Sequence, residues 1–417
     1  MAAASLQNLQ KIQKKHAHLF EALGYGTNPQ PVSQVTSWLL TAAVGFYFGL
    51  LPILWQETSI PSMVWTGAAA GLLWLASIAA RHNSISIRNV TTCAVLFCLL
   101  YPVFGAISYL VWGQSSNERE ALLLQTVPIM MLGLALYLTG AATRCNRIYG
   151  ALWASWVIII CYIALNFRNL DPRSMYEATL ETGTRLNYQQ MGDAFAICCV
   201  ILAPRIRQFF WQWLFIGISI GVMFIIPSRS AAFFGSVALL SIPVLFGGMF
   251  TRVMLIGLGL FALFGYESGM FAQWFEGSRF ESALTPDAED GSWSMRQEIM
   301  DHGMALLISK PFTGEWGFQL GDLKFAGYYI HNALDVWAQA GLLPFLLFMG
   351  IWVYMSIALL NGLSRWPRLA KEVIPVLIFA ALSWSLSRNI GFVALFFCMG
   401  FASATLAQAR YGNHGMR

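Results

Sequence analysis

Twelve apolar stretches, each long enough or nearly long enough to cross a bilayer, govern what this chain can fold into. A spanning helix needs about 20 apolar residues, with a range of about 17–25. Segments of that kind are expected at 37–55, 63–80, 90–112, 122–142, 148–166, 191–203, 209–226, 231–248, 252–266, 333–360, 373–386 and 390–407. The one at 191–203 is short, and the last two are tightly linked. In lipid every backbone amide must find its partner within its own segment, so such stretches fold as helices. Composition agrees: 57% of the 417 residues are hydrophobic and 11% are charged, against about 25% charged in a soluble domain. The fold class expected is an all-α integral membrane protein.

Charge in the connecting segments sets the expected topology. With a cytoplasmic N-terminus, the inner segments hold Lys11, Lys14, Lys15, Arg81, Arg88, Arg144, Arg147, Arg205, Arg207, Arg252, Arg365, Arg368, Lys371, Arg410 and Arg417. Only Glu21 and Glu372 share that side among the 20 acidic residues. Every inner segment then carries at least one Lys or Arg, as the positive-inside rule requires. The chain divides into a cytoplasmic segment 1–36, helices one to nine over 37–266, a large outer loop 267–332, helices ten to twelve over 333–408, and a cytoplasmic tail 409–417. The net charge of +5 follows from topology and gives no reason to expect nucleic acid. The polar, Lys-bearing start has no early apolar core, so no cleaved leader is expected. Its leucines fall near helical spacing, which suits either an interfacial helix or a solvated tail.

The seven cysteines lie in or beside apolar stretches and read as packed thiols, with no metal or disulfide spacing. No expected span carries a Lys, Arg, Asp or Glu near its middle, and Asp193 and Asp335 fall near outer ends. Ion-coupled transport normally needs ionisable groups at depth, so any chemistry is expected at the outer rim. The run TPDAEDGSW reads as a solvated acidic turn, and no metal ligand set or Gly-rich nucleotide loop is apparent.

The outer side keeps Arg119, Arg168, Arg173, Arg185, Arg229, Arg279, Arg296, Lys310, Lys324 and Arg388. Guanidinium suits bidentate capture of phosphate and stays charged. Arg119, Arg168 and Arg173 are expected to snorkel or to pair with acids. Arg229, in the tight link IIPSRSAAFFG, and Arg296, on a stretch with Met295, Ile299, Ala305 and Leu306 at helical spacing, are the stronger phosphate candidates. Arg185 and Arg388 stand between these two groups. Of six histidines, topology leaves His302 and His331 outside. His302 reads as a surface residue of the loop helix. His331, in YYIHNALDVWAQAGLLP, is expected to open a spanning helix whose dipole keeps the imidazole neutral and basic. Asn332 either caps that helix or positions the imidazole.

The set SRSAAFFG, then a long outer loop with an Arg-bearing helix, then KPFTGEWGFQL and HNALDVWAQAGLLP, resembles the O-antigen ligase and O-antigen polymerase superfamily. The resemblance spans about residues 185–344. It implies a GT-C-like, metal-independent enzyme of the bacterial inner membrane that needs no cofactor. Such an enzyme takes O-antigen from undecaprenyl diphosphate at the periplasmic face and, in the ligase branch, passes it to a sugar hydroxyl of lipid A-core. On this sequence it implies His331 as general base, Arg229 and Arg296 as catalytic and diphosphate-binding residues, and Arg185 and Arg388 as further diphosphate contacts, with Asn332 in support. A single dominant outer loop favours a ligase over a polymerase. A protein O-oligosaccharyltransferase shares the same features, and a lipid-linked glycan transporter is the non-enzyme alternative.

Overall fold

The computed structural model describes residues 34–57, 62–80, 87–112, 116–142, 146–166, 188–276, 278, 280–281, 291–321, 332–363, 367–387 and 391–411. All regular elements among them are helical. In chain order they are α1 (Gln34–Gly45), a π turn (Phe46–Leu50) and α2 (Leu51–Glu57), which together form the first long helix. Then come α3 (Ser62–Ala80), α4 (Arg88–Trp112), α5 (Asn117–Ala141), α6 (Asn146–Asn166), α7 (Tyr188–Leu202), α8 (Phe209–Ile225), α9 (Arg229–Phe246) and α10 (Met249–Glu267). The loop region holds α11 (Met270–Phe275), α12 (Gly291–Ser309) and α13 (Phe318–Gly321). The chain closes with α14 (Leu334–Ala340), α15 (Leu342–Leu363), α16 (Pro367–Leu386) and α17 (Ala394–Tyr411). The N-terminal segment 1–33, with its possible interfacial helix, lies outside the described residues.

Among the described residues eight helices are long and apolar enough to cross a membrane, and Val64–Ala79, Phe209–Ile225 and Ala394–Ala407 are shorter apolar helices. Large apolar side chains on the outside of the bundle, such as Leu110, Phe210 and Phe264, are exposed in the way a lipid-facing surface requires. A multi-pass helical membrane protein accounts for this surface; water does not.

One expected span is overturned. Residues 333–360 do not form a single helix, because Gly341 breaks the run with φ 85°. That left-handed conformation is open to glycine and costly for other residues. There is also no room for a side chain, since a Cβ at 341 would strike the Phe312 carbonyl. The apolar run therefore divides into the seven-residue α14 and the long α15.

Polar contacts sort the helix ends into two sets. At one end Arg205 bonds Glu372 at 3.1 Å and stacks over Tyr149, while the Ile87 amide donates to Ser403 Oγ at 2.9 Å. The lone inner acid beyond Glu21 thus has a basic partner. At the opposite end of α4, Trp112 Nε1 donates to Thr313 Oγ1 at 2.7 Å and Ser108 Oγ accepts from the Trp316 amide at 2.8 Å.

At the centre lies α7. Every residue from Met191 to Leu202 is buried. Its neighbours include α6, α9 and α16. Small residues set such close packing where lipid provides no hydrophobic drive between helices. Gly192 and Gly235 leave no room for a Cβ against Ser228 and Met223. The same holds between α5 and α17, where a Cβ on Gly140 would meet Phe397 O and one on Gly400 would meet Tyr137 O.

Gly400→Ala should therefore push α5 and α17 apart, at about 1–3 kcal/mol by the usual cost of overpacking. Thermal unfolding of the purified protein in nanodiscs checks this. Gly150→Ala, where no atom lies within 4 Å of the added Cβ, should leave the transition in place; equal loss in both variants would refute the packing account.

Candidate functional site

Two of the motifs that carried the family resemblance, KPFTGEWGFQL and HNALDVWAQAGLLP, form one physical unit over their described residues. Residues Lys310–Gly317 (KPFTGEWG) wrap the C-terminal end of α14. The Glu315 amide donates to Ala338 O at 2.7 Å, Trp337 Nε1 donates to Pro311 O at 2.7 Å, and the Leu342 amide donates to the same Pro311 carbonyl at 3.1 Å. Gly314 and Gly317 both have positive φ, 62° and 64°, which lets the turn close this tightly. Trp316 fixes the turn to α4: its ring fills the space over Gly105, where any Cβ would collide with it.

Charge secures the same turn. Arg119, in the first turn of α5, is 2% exposed and pairs with Glu315 at 3.3 Å. Lys310 Nζ reaches the other Glu315 oxygen at 2.5 Å and lies 4.4 Å from the Trp112 ring centroid. Arg119 thus takes the acid-paired role expected from sequence.

This unit determines what precedes α14. Asn332 Oδ1 accepts from the Leu334 amide at 2.9 Å, so Asn332 caps α14, and its Nδ2 lies 3.7 Å from Met300 Sδ on α12. Ile299, Leu306, Phe318 and Ala338 form a small buried cluster that holds α12 against α14. Of the spacing expected on α12, Ile299 and Leu306 are buried as read, whereas Ala305 is exposed. His302 is half-buried and stacks on Phe318, ring centroids 5.7 Å apart at 10°, so it is a packing residue as much as a surface one. Position 296 lies on α12 one turn before Met300; the side chain of Arg296 lies outside the described residues, as does His331. The helix that follows His331 is the short α14, not a spanning helix, which corrects the expectation from the apolar run. Asp335, in the first turn of α14, is fully buried and accepts from Gln339 Nε2 at 2.8 Å.

A second group gathers where α7 begins. Arg229 is the first residue of α9 and is half-buried. The preceding Ser228 packs on Gly192 so closely that a Cβ on Gly192 would lie 2.7 Å from Ser228 Cβ. The first turn of an 18-residue helix exposes amides and the positive end of its dipole, and an arginine there makes a site suited to an anion. Arg185 and Arg388 lie outside the described residues. Their nearest described neighbours are Tyr188, which starts α7, and Gly391, which lines a cavity together with Gln190 and Asp193 of α7. The flanks of 185, 229 and 388 thus meet at one end of α7.

Sequence reading placed Asp193 near the outer end of its span and did not single out Gln190. Asp193 is 1% exposed, five residues into the central helix, which spacing along one segment cannot reveal. Arg168, Arg173, Arg279, Lys324 and the acidic run 285–293 fall outside the described side chains. No protein-family model matches the chain, and none of the curated proteins is significantly similar to it.

Glu315→Gln should leave Arg119 as a buried charge without its carboxylate, at about 3–5 kcal/mol. Replacing Arg119, Lys310 and Glu315 together with apolar residues should recover most of that loss. Thermal unfolding of both variants measures the difference, and equal destabilisation would mean that the pair itself does not hold the turn.

Proposed function

We propose that this chain is a glycan transferase of the O-antigen ligase kind. It would move O-antigen from undecaprenyl diphosphate to a sugar hydroxyl of lipid A-core, at the periplasmic face of the bacterial inner membrane. The observation that carries the reading is the contact between Asn332 and Met300. It joins the residue after His331 to the helix on which position 296 lies, and so supports a reading in which the two act together. The anion-suited start of α9 at Arg229 supports the same reading.

The reaction is a displacement. His331 takes the proton of the acceptor hydroxyl as that oxygen attacks the anomeric carbon of the donor. The bond from that carbon to the diphosphate oxygen breaks, and undecaprenyl diphosphate departs carrying the electron pair. Arg229 and Arg296, with Arg185 and Arg388, hold the diphosphate and stabilise the charge that grows on it. Direct attack inverts the anomeric centre. Asn332 accepts from the Leu334 amide and so anchors the start of α14. Charge alone performs the stabilisation in this scheme, without a metal.

Deletion of the gene should leave lipopolysaccharide as core alone, with carrier-linked polymer accumulating. Core plus a single repeat unit would mean a polymerase instead, and an unchanged ladder would refute glycan transfer to lipid A-core. His331→Ala should lower transfer about 10²-fold or more, the usual contribution of a general base. Arg296→Lys keeps charge but loses the planar fork, and should lower turnover about tenfold or more. Both are checked by single-turnover transfer in proteoliposomes. Full activity of the wild type in excess EDTA is expected, and loss rescued by Mg²⁺ would overturn the metal-free scheme.

A further inference from the structure

Helix α10 is seated against its neighbours at its two ends. Of its 19 residues only Thr251 and Gly265 are buried. Gly247, just ahead of the helix, lies so close to the Pro243 carbonyl and Thr251 that no Cβ fits, and Gly265 meets Phe271 of α11 in the same way. Between those points Val253, Leu258 and Leu263 are all exposed, and a spacing of five residues puts them on three different faces. A helix that is apolar all round needs apolar surroundings, and here the described residues supply them only at its ends.

At the end of the bundle where Arg205 meets Glu372, the starts of α8 and α10 come together. The rings of Phe209 and Phe250 lie 6.1 Å apart, and Arg207 and Arg252 each stand two residues from one of those rings. Arg205 is already paired with Glu372. Arg207 and Arg252 are exposed, and among the described residues neither makes a hydrogen bond or an ion pair. The sequence has no Asp or Glu between Asp193 and Glu267, so it offers these two charges no local partner. Each arginine heads an apolar row. On α10, Arg252, Ile256, Gly259 and Leu263 stand at i, i+4, i+7 and i+11, one helix face, and all are exposed. On α8, Phe210, Leu214, Gly217 and Gly221 repeat that spacing beyond Arg207, and all are exposed. A Cβ at Gly217, Gly221 or Gly259 would meet no atom within 4 Å, so the chain covers neither row.

A phosphate with two long hydrocarbon chains matches this pattern of two cations and two apolar rows. Guanidinium takes phosphate through a planar pair of hydrogen bonds, and basic residues at a membrane surface favour anionic lipids. A zwitterionic headgroup carries its own cation beside the phosphate, whereas an anionic one leaves its charge for the arginines. A second copy of the chain is the poorer match. Two copies in one membrane are related by an axis along its normal, which would set the arginines of each against those of the other. We propose that the starts of α8 and α10 form a binding surface for an anionic phospholipid of the surrounding bilayer. Arg207 and Arg252 hold its phosphate, and its acyl chains lie along the two exposed rows. The lipid supplies the packing that the middle of α10 does not receive from the chain. This surface lies at the opposite end of α8 from Arg229 and does not depend on the glycan-transfer reading.

The test gives full-length protein in detergent either phosphatidylglycerol or phosphatidylcholine with identical acyl chains, and reads native mass spectra and thermal unfolding. Phosphatidylglycerol should be retained more and should raise the transition further. Arg207→Gln combined with Arg252→Gln should lower affinity for phosphatidylglycerol about tenfold or more and leave the response to phosphatidylcholine as it was. Arg88→Gln, at an exposed arginine that starts α4, should change neither response. Equal retention of the two lipids by the wild type would overturn the proposal, and this measurement decides the matter even where the paired variant does not fold. A loss in Arg88→Gln as large as in the paired variant would also overturn it, because the attraction would then be that of any basic surface. Ile256→Cys that joins two copies by a disulfide in native membranes would overturn it in favour of a second copy.

Discussion

The seating of α7 inside the bundle is the constraint from which the rest of the arrangement follows. A helix with no lipid-facing side must be approached closely by its neighbours, and Gly192 permits this where Ser228 and Ala231 press against it. The packing stacks the start of α7 against the start of α9. As a result Arg229, Asp193 and Gln190 share one end of the protein. A larger residue at 192 would push the start of α9 away from the start of α7.

The loop over Lys310–Gly317 imposes the second constraint. It satisfies the Ala338 carbonyl near the end of α14, docks Trp316 in the groove at Gly105 and pairs Glu315 with Arg119 and Lys310. Removing one partner from so buried a pair is more harmful than never having had it, because the remaining charge stays desolvated. The turn thereby orients the short α14, and with it Asn332, against α12. Residues that looked like a sequence signature are the means by which a loop is fixed to the helix bundle.

Much of the architecture was legible because a membrane span announces itself by hydropathy, which needs no knowledge of neighbours. The segments expected at 90–112 and 148–166 correspond closely to α4 and α6. The run 333–360 misled for the same reason. Hydropathy does not register a backbone break, and Gly341 is only one of many glycines in apolar sequence until the Phe312 carbonyl is seen against it. Arg119 was legible as an arginine with an acid nearby; that its acid would be Glu315, nearly two hundred residues away, was not. Ala305 was misread because helical spacing identifies a face, whereas the extent of burial depends on how far α14 reaches along it.

By itself the sequence determined the helical membrane class, the approximate spans and the residue types suited to phosphate and proton chemistry, since each follows from local composition and period. Tertiary structure decided which of those residues meet. It joined the KPFTGEWG turn to the end of α14, gathered Gln190 and Asp193 with the start of α9, and divided an apparently continuous helix at Gly341. These are relations between segments far apart in the chain. They depend on steric contact and hydrogen-bond satisfaction across helices, and neither is a property of a residue and its sequence neighbours.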